Sequence, residues 1–400
     1  MDELIEPALT GMAVETQQRE MFGLFVDSTF HGLYHSWSTR VDINWMDFLR
    51  YHLESASATL TWTIRSLSTL YIGRCHHDPD KIACSRSMYG RALHCLMSTM
   101  RNPNKAKSDA TLGAALLLGV YEMLDGTKRL SWLAHSSGVS TLIRLRGPSA
   151  HRRGFGRTLL ISFRAFLVAD AFIRNEPCFL EESEWRSIME GWIADEKRSS
   201  RRSLLGETVD QAFNEIVVCP GLLARTRSML ACSGLCDPET LLFQSSRCQN
   251  SLKQLNHQLK ALLCVLDEHP GLDEKPEIIG PIPFNVAITL AKNSLCGTRL
   301  AIEFLDQLLL VLQANQSRWL DCSGRMLMDQ IGDSRNMSSD VVAVPVTGAE
   351  PDNNVSDFVY HHLYQKPAQP SLDNIALSMG MLAVEFKDCR NGVDAQTERS

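Results

Sequence analysis

The stretch "SDATLGAALLLGVYEMLDG", residues 108–126, indicates the fold class most directly. Ser108 is predicted as the N-cap of a helix, with Asp109 in the first turn and Gly126 just beyond the last turn. A helix that is apolar on nearly all sides is expected to be central and buried. Its apolar residues cover most of the circumference: Leu112, Leu116, Leu117, Leu118, Val120, Met123 and Leu124.

Apolar residues with a period of 3.6 recur on both sides of this stretch, whereas alternation of apolar and polar residues is nearly absent. The sequence therefore predicts an all-α protein with a single large multi-helix domain over residues 1–331. Residues 332–354 are mostly polar and contain Pro and Gly, so we expect a flexible loop there. A C-terminal helical segment, residues 355–400, is predicted to dock on the body.

The composition argues against several classes of protein. A net charge of -6 gives no overall basic field, so direct DNA binding by this chain is not expected. The N-terminal residues lack a signal-peptide pattern, and no apolar run approaches the roughly 18–20 residues of a membrane span. We therefore expect an intracellular protein without membrane contact, in which the 12 cysteines are reduced.

The next helical stretch is "WLAHSSGVSTLIRLRGPS", residues 132–149. Gly147 and Pro148 are predicted to end this helix. Gly138 is expected to permit close approach of a neighbouring helix. Helical spacing places His135 on the apolar face, together with Trp132, Val139, Leu142 and Ile143.

His135 has two candidate partners, Glu122 near the end of the preceding helix and Asp170 on an apolar stripe of the following one. Buried ionisable groups need partners, which Arg144 or Arg174 would supply. One interpretation is a buried polar network that fixes the helix register. The alternative is a pocket in which His135, Glu122 and Asp170 carry out proton transfer on a small molecule.

Other short motifs favour neither a metal nor a cofactor. The stretch "CHHDPDKIAC", residues 75–84, has two cysteines and two histidines, but their spacing fits no zinc module, and a solvated turn between antiparallel helices is preferred. Cys232 and Cys236 supply only two of the four ligands that a structural zinc needs. "GFGR", residues 154–157, follows no strand and completes no nucleotide motif. The basic run at 196–202 indicates either a surface loop or a nuclear-import signal.

Three motifs between residues 114 and 188 combine into a recognisable pattern. A buried helix ends in Tyr121-Glu122, the next carries Trp-x-x-His-x-x-Gly over 132–138 and runs into Arg-Gly-Pro at 146–148, and a third closes with Arg174 before Pro177. This pattern resembles the fungal-specific transcription-factor domain, the middle homology region of zinc binuclear-cluster regulators. The resemblance extends over roughly residues 15–310.

The chain departs from that family at one point. Regulators of this kind carry six cysteines that bind two zinc ions, whereas the first cysteine here is Cys75, inside the helical body. DNA binding is therefore not transferred, and the chain is expected either to lack the zinc module or to be a gene model truncated at its start.

The resemblance implies a nuclear regulator, with the cytoplasm as the alternative location, that controls a fungal secondary-metabolite gene cluster. It would act by binding a DNA-bound regulator, another protein partner or a small-molecule ligand, and homodimerisation is left open. The alternative function is an enzyme recruited from this scaffold, an isomerase, cyclase or hydrolase, that uses His135, Glu122 and Asp170 in an interhelical pocket.

Overall fold

The computed structural model describes residues 57–125, 131–198, 202–231, 238–268 and 276–329, together with Glu20, Phe22 and Gly23. Every regular element in these ranges is an α-helix or a 3₁₀ helix, which confirms the all-α prediction. The predicted loop at 332–354 and the C-terminal segment at 355–400 lie outside the described residues, so these domain boundaries stay predictions. None of the described helices is both long and apolar enough to span a membrane.

The first two described helices form a hairpin. Helix α1 runs over Ala58–Cys75 and helix α2 over Pro79–Met100, and the three residues between them make the helices antiparallel. Asp78 caps α2 by accepting hydrogen bonds from the Asp80 and Lys81 backbone amides, and proline at the first helical position suits a helix start. The antiparallel pair expected around residues 73–79 is therefore present, but the turn predicted over residues 75–84 is confined to residues 76–78, because residues 79–84 already belong to α2.

Helix α3 is a single turn over Pro103–Ala106, and helix α4, Asp109–Asp125, is the central helix. The Thr111 amide donates a 3.2 Å hydrogen bond to the Ser108 hydroxyl, which confirms Ser108 as the N-cap. The side chains at positions 111–121 of α4 are buried on all sides, as its apolar circumference predicts, and Gly126 lies outside the described residues.

Helix α5, Ser131–Arg146, packs along α4. It ends as predicted, because Gly147 has a φ of 78° and Pro148 begins a 3₁₀ turn. The prediction for Gly138 is wrong, since a Cβ at this position would meet no atom within 4 Å. Helix α4 faces α5 at Gly119, where an added Cβ would lie in ordinary van der Waals contact, 3.5 Å from the His135 Cβ.

A tight corner connects α5 to helix α6, Gly154–Arg174, and to helix α7, Ser183–Arg198. His151 is completely buried there, and its Nδ1 donates a 2.9 Å hydrogen bond to the Gly156 carbonyl. Trp192 of α7 donates from Nε1 to the Arg152 carbonyl at 3.1 Å. Arg146 forms an ion pair with Asp109 at the start of α4, so the corner ties four helices together.

The remaining helices form the second half of the described structure. They are α8 (Leu204–Ile216), α9 (Cys219–Ala231), α10 (Pro238–Glu268), the single turn α11 (Pro276–Ile279) and α12 (Phe284–Asp329). Helices α10 and α12 pack along one another, and α8 packs against both and against α7.

Two hydrophobic cores hold these helices. The larger core gathers apolar side chains of α1 and α4 to α7, and receives parts of α8, α9, α10 and α12. The smaller core lies between α8, α10, α11 and α12, with Leu205, Leu259 and Ala287 among its fully buried side chains.

A buried ion pair connects α6, in the larger core, with α8, which contributes to both cores. Arg164 Nη2 lies 2.6 Å from Asp210 Oδ1, and the two side chains are 1% and 3% exposed. The guanidinium also lies over the Phe213 ring, with its carbon 4.1 Å from the ring centroid. These contacts hold α8 against α6.

Replacing Gly156 by alanine should destabilise the protein by about 1–3 kcal/mol, because the new Cβ would clash with the Ala150 carbonyl oxygen in the corner. Gly138→Ala is the matched control in an open helical position, where alanine should add up to about 1 kcal/mol. Chemical denaturation of the two variants measures both effects, and equal stabilities would contradict this account of the corner.

The stability contributed by His151 should depend on pH. Burial lowers the pKa of His151 from 6.5 to about 4. Between pH 6.5 and about pH 4, His151 is therefore protonated in the unfolded chain and neutral in the folded protein. The free energy of unfolding falls as the pH falls through this window. Between pH 7 and pH 5 the loss should be about 2 kcal/mol.

His151→Gln should flatten this pH dependence, and the exposed His94→Gln should leave it unchanged. Denaturation curves at pH 5, 6 and 7 give the three slopes. A slope in His151→Gln as steep as in the wild type would show that other groups cause the pH dependence.

Candidate functional site

His135 and Glu122 meet at a third residue, Tyr89 of α2, so that the site is built from α2, α4 and α5. The Tyr89 hydroxyl donates to Glu122 Oε1 and lies 2.9 Å from His135 Nε2. The hydroxyl has a single hydrogen, which the carboxylate accepts, so His135 Nε2 must carry a hydrogen and donate to the tyrosine oxygen. His135 Nε2 and Glu122 Oε1 are 3.9 Å apart.

The Tyr89 ring is held in place by a second tyrosine. It stacks on Tyr121, with the ring centroids 4.4 Å apart and the planes inclined by 11°. The Tyr121 hydroxyl lies 3.0 Å from Ser85 Oγ, and Ser85 in turn donates to the Ile82 carbonyl, so Tyr121 is the donor to Ser85. The polar contacts between α2 and α4 therefore continue beyond the site.

Two arginines bind the C-terminal residue of α4, next to the site. Arg86 of α2 pairs with the Asp125 carboxylate at 3.1 Å, and Arg74 of α1 donates to the Asp125 carbonyl at 2.6 Å. Positive charge is favourable at a helix C-terminus, where carbonyl groups lack partners within the helix. These contacts fix α1 and α2 to the end of α4 that carries Glu122.

Burial sets the protonation of the site. It lowers the pKa of His135, against the opposing effect of the Glu122 charge. It raises the pKa of Tyr89, helped by the hydrogen bond to Glu122, and raises the pKa of Tyr121 to about 12. At neutral pH the imidazole is therefore neutral and both phenols are protonated, so neither tyrosine serves as a base.

Asp170 does not join His135 and Glu122 in the described part of the chain. It pairs with Arg174 one turn further along α6, at 2.9 Å. Burial raises the pKa of Asp170, and Arg174 opposes this effect. Arg144, the other arginine proposed as a partner, lies 3.4 Å from Glu182 in an exposed pair.

Tyr89 is the site residue that the sequence analysis missed. It lies on the partly buried face of α2, and an aromatic residue there is ordinarily interpreted as packing. The available signal was its hydroxyl, since a tyrosine that is partly buried usually has a hydrogen-bond partner. The contacts of Tyr89, Glu122 and His135 support the interpretation as a network that fixes the register of three helices.

An open cleft of about 390 Å³ lies elsewhere, between α7, α8 and α10. Its lining is mainly polar and includes four amide side chains: Gln211, Asn214, Gln254 and Gln258. Burial raises the pKa of Glu215 in the same cleft, and the charges of Arg186 and Arg247 oppose the shift. The cleft is separate from His135.

The described ranges contain no group of three or more His, Cys, Asp or Glu side chains arranged to hold a metal ion. His76 and His77 are both exposed in the turn before α2, and Cys232 and Cys236 lie outside the described residues. The "GFGR" stretch forms the first turn of α6, and the 196–202 run is described only in part.

Comparison with known proteins bears on the central part of the chain. Residues 51–206 match the fungal specific transcription factor domain, which confirms the resemblance for this region. The whole chain is similar to "Uncharacterized protein AN5342" of Emericella nidulans, with 29% identity over 393 residues, covering 96% of this chain and 84% of that protein. No solved structure matches the chain.

Tyr89→Phe should lower the free energy of unfolding by about 1–3 kcal/mol, because it leaves the His135 Nε2 hydrogen and the Glu122 carboxylate without the hydroxyl they share. Glu122→Gln retains an acceptor for Tyr89 and should cost less. Urea denaturation of both variants measures the difference. A Tyr89→Phe variant as stable as the wild type would exclude a structural role for the network.

Proposed function

We propose that this chain, whose residues 51–206 carry a fungal specific transcription factor domain, is a nuclear regulator of a secondary-metabolite gene cluster. The observation that carries the proposal is the position of the match. It includes α1 to α7, the helices of the larger core, together with the corner at 147–156 and the Tyr89 site. The matched region therefore contains most of the larger core.

The protein reaches its genes through a partner or responds to a small ligand, and does not read DNA itself. In support, the 400 residues have a net charge of -6, which disfavours a polyanion. Large apolar side chains are available for a protein partner, since Met97, Phe243 and Leu310 are 65%, 67% and 66% exposed. The cleft between α7, α8 and α10 is a place for a polar ligand.

A second candidate function is an enzyme built on the same scaffold, which would act on a biosynthetic intermediate. The observation in its favour is the contact of Tyr89 with Glu122 and His135, which places a carboxylate and an imidazole, two groups used in general acid–base catalysis, on one hydroxyl. Asp170 would have to be replaced in that role by Tyr89, because Asp170 pairs with Arg174 instead.

Deleting the gene in the fungus that carries it separates the two functions. For a regulator, transcripts of several clustered genes should fall together several-fold, because one regulator acts on all of them. RNA sequencing and mass spectrometry of the metabolites, in the deletion strain and in a strain with the gene restored, make the comparison. Unchanged transcripts with one accumulating intermediate would rule out regulation and favour the enzyme.

A His135→Ala strain refines this test. If His135 is structural, any change in transcripts should follow the loss of folded protein, measured as helical content and melting temperature. His257→Ala, at an exposed position of α10, is the control. A folded His135→Ala protein with normal transcripts and a blocked conversion would point to the enzyme.

A further inference from the structure

The hairpin of α1 and α2, together with the short helix α3 that follows it, differs sharply in charge from the rest of the protein. Residues 57–108 contain eight Lys or Arg side chains and two Asp, and no Asp or Glu occurs from residue 81 to residue 108. The other residues of the chain therefore carry 32 basic and 44 acidic side chains. The hairpin is a local basic region on an otherwise acidic protein.

Three of these eight cations are used within the fold. Arg74 and Arg86 bind the end of α4, and Lys81 pairs with Asp78. The other five make no ion pair within the described ranges: Arg65, Arg91, Arg101, Lys105 and Lys107. A net positive charge therefore remains on this side of the molecule.

Trp62 organises two of the unpaired arginines. The guanidinium carbon of Arg65 lies 5.2 Å from the Trp62 ring centroid and that of Arg91 lies 4.9 Å from it, so one indole carries a guanidinium from each helix. Such cation–π contacts restrict the arginine side chains and leave the N–H groups of the exposed Arg91 available, whereas Arg65 is half-buried, with its Nε covered, and can offer only its terminal N–H groups. Each guanidinium is then preorganised to hold a carboxylate by two parallel hydrogen bonds.

The outer face of α2 continues the same surface. Positions 91, 94, 98 and 101 recur at intervals of three and four residues, so Arg91, His94 and Arg101 lie on one side of the helix. All three are exposed, and Met97 beside them is 65% exposed. The surface thus combines positive charge with a flexible apolar side chain and an indole.

We propose that this basic hairpin surface, formed by Trp62, Arg65, Arg91, His94, Met97 and Arg101, binds an acidic segment of a partner protein that has apolar residues among its Asp and Glu. The proposal names the chemistry of the partner of the regulator proposed above and rests on that function. The arginines match carboxylates, and Met97 and Trp62 match the apolar side chains between them.

A protein segment fits this surface better than DNA. A DNA duplex would pair its phosphates with the cations but would offer no apolar group to the exposed Met97. Longer than the hairpin, it would also meet the acidic remainder of the chain. Charges on a short segment interact only with groups within about 10 Å at moderate salt, so they experience the local positive charge of the hairpin.

The experiment measures binding of labelled probes to the full chain by fluorescence anisotropy. The first probe is a 20-residue peptide in which Asp and Glu alternate with Leu and Phe. The second peptide has Asn and Gln in place of Asp and Glu, and the third probe is a 20-base-pair DNA duplex. The acidic peptide should bind saturably, at least ten-fold more tightly than the other two, and more weakly as salt is raised.

Charge reversal locates the binding surface. The double variant Arg91→Glu with Arg101→Glu should weaken binding of the acidic peptide at least ten-fold. Lys260→Glu with Lys292→Glu changes the net charge equally at exposed positions of α10 and α12 and should bind as the wild type does. Arg91→Gln with Arg101→Gln is a milder variant for use if the first does not fold, as judged by circular dichroism.

Several outcomes would overturn the proposal: no saturable binding of the acidic peptide at low salt, tighter binding of DNA, or equal loss in the two double variants. A concentration-dependent dimer that the Arg91 and Arg101 changes abolish would instead assign the surface to a second copy of the chain. Failure of the regulatory function is seen separately. If the acidic peptide binds as proposed but the deletion strain has normal transcripts, the binding surface is correct and the proposed regulatory function is wrong.

Discussion

The ion pair of Arg164 with Asp210 is the most deeply buried charged contact between the two halves of the described structure, which also share the larger core. Removing both charges from water costs several kcal/mol per ion, and this cost is offset only when the partners are held in good geometry. Helices α6 and α8 hold them at 2.6 Å, and the Phe213 ring lies against the guanidinium. Because α8 also carries residues of the smaller core, this pair is one of the contacts that position that core relative to α6.

The corner between α5 and α6 holds helices of the first half together, as the Arg164–Asp210 pair helps to hold the two halves together. His151, Gly156 and Arg152 are bound by groups from neighbouring segments, and Trp192 reaches the corner from α7. The Arg-Gly-Pro motif that carries the family resemblance therefore has a physical role. It stops α5 and turns the chain so that α4, α5, α6 and α7 meet.

Local features of the fold were predictable from sequence, and features that depend on helix rotation were not. The cap at Ser108 and the stop at Gly147 follow from residues adjacent in the chain. Gly138 and Gly119 are both small residues in helices, and only the way α4 faces α5 decides which one lies at the contact. The same limit explains why Tyr89 was missed, since its partners come from two other helices.

Asp170 shows a different limit. Its pairing with Arg174, four residues away, was available from helical spacing alone, and Arg174 was named as a partner. Placing Asp170 beside His135 required a long-range contact for a carboxylate that a local arginine already satisfies. Where a local partner exists at helical spacing, it is the better prediction for a charged residue.

Helix α2 is attached to the rest of the protein by few buried side chains. Only Ser85 and Ala92 of this helix are buried, and its other inward contacts include the Tyr89 and Tyr121 stack and the hydrogen bonds to Glu122 and His135. Such contacts can exchange with water as a helix moves, whereas a large apolar face cannot do so without a high cost. Helix α2 therefore presents an exposed outer face, while its inner side packs along α1 and is joined to the central helix through two phenol rings.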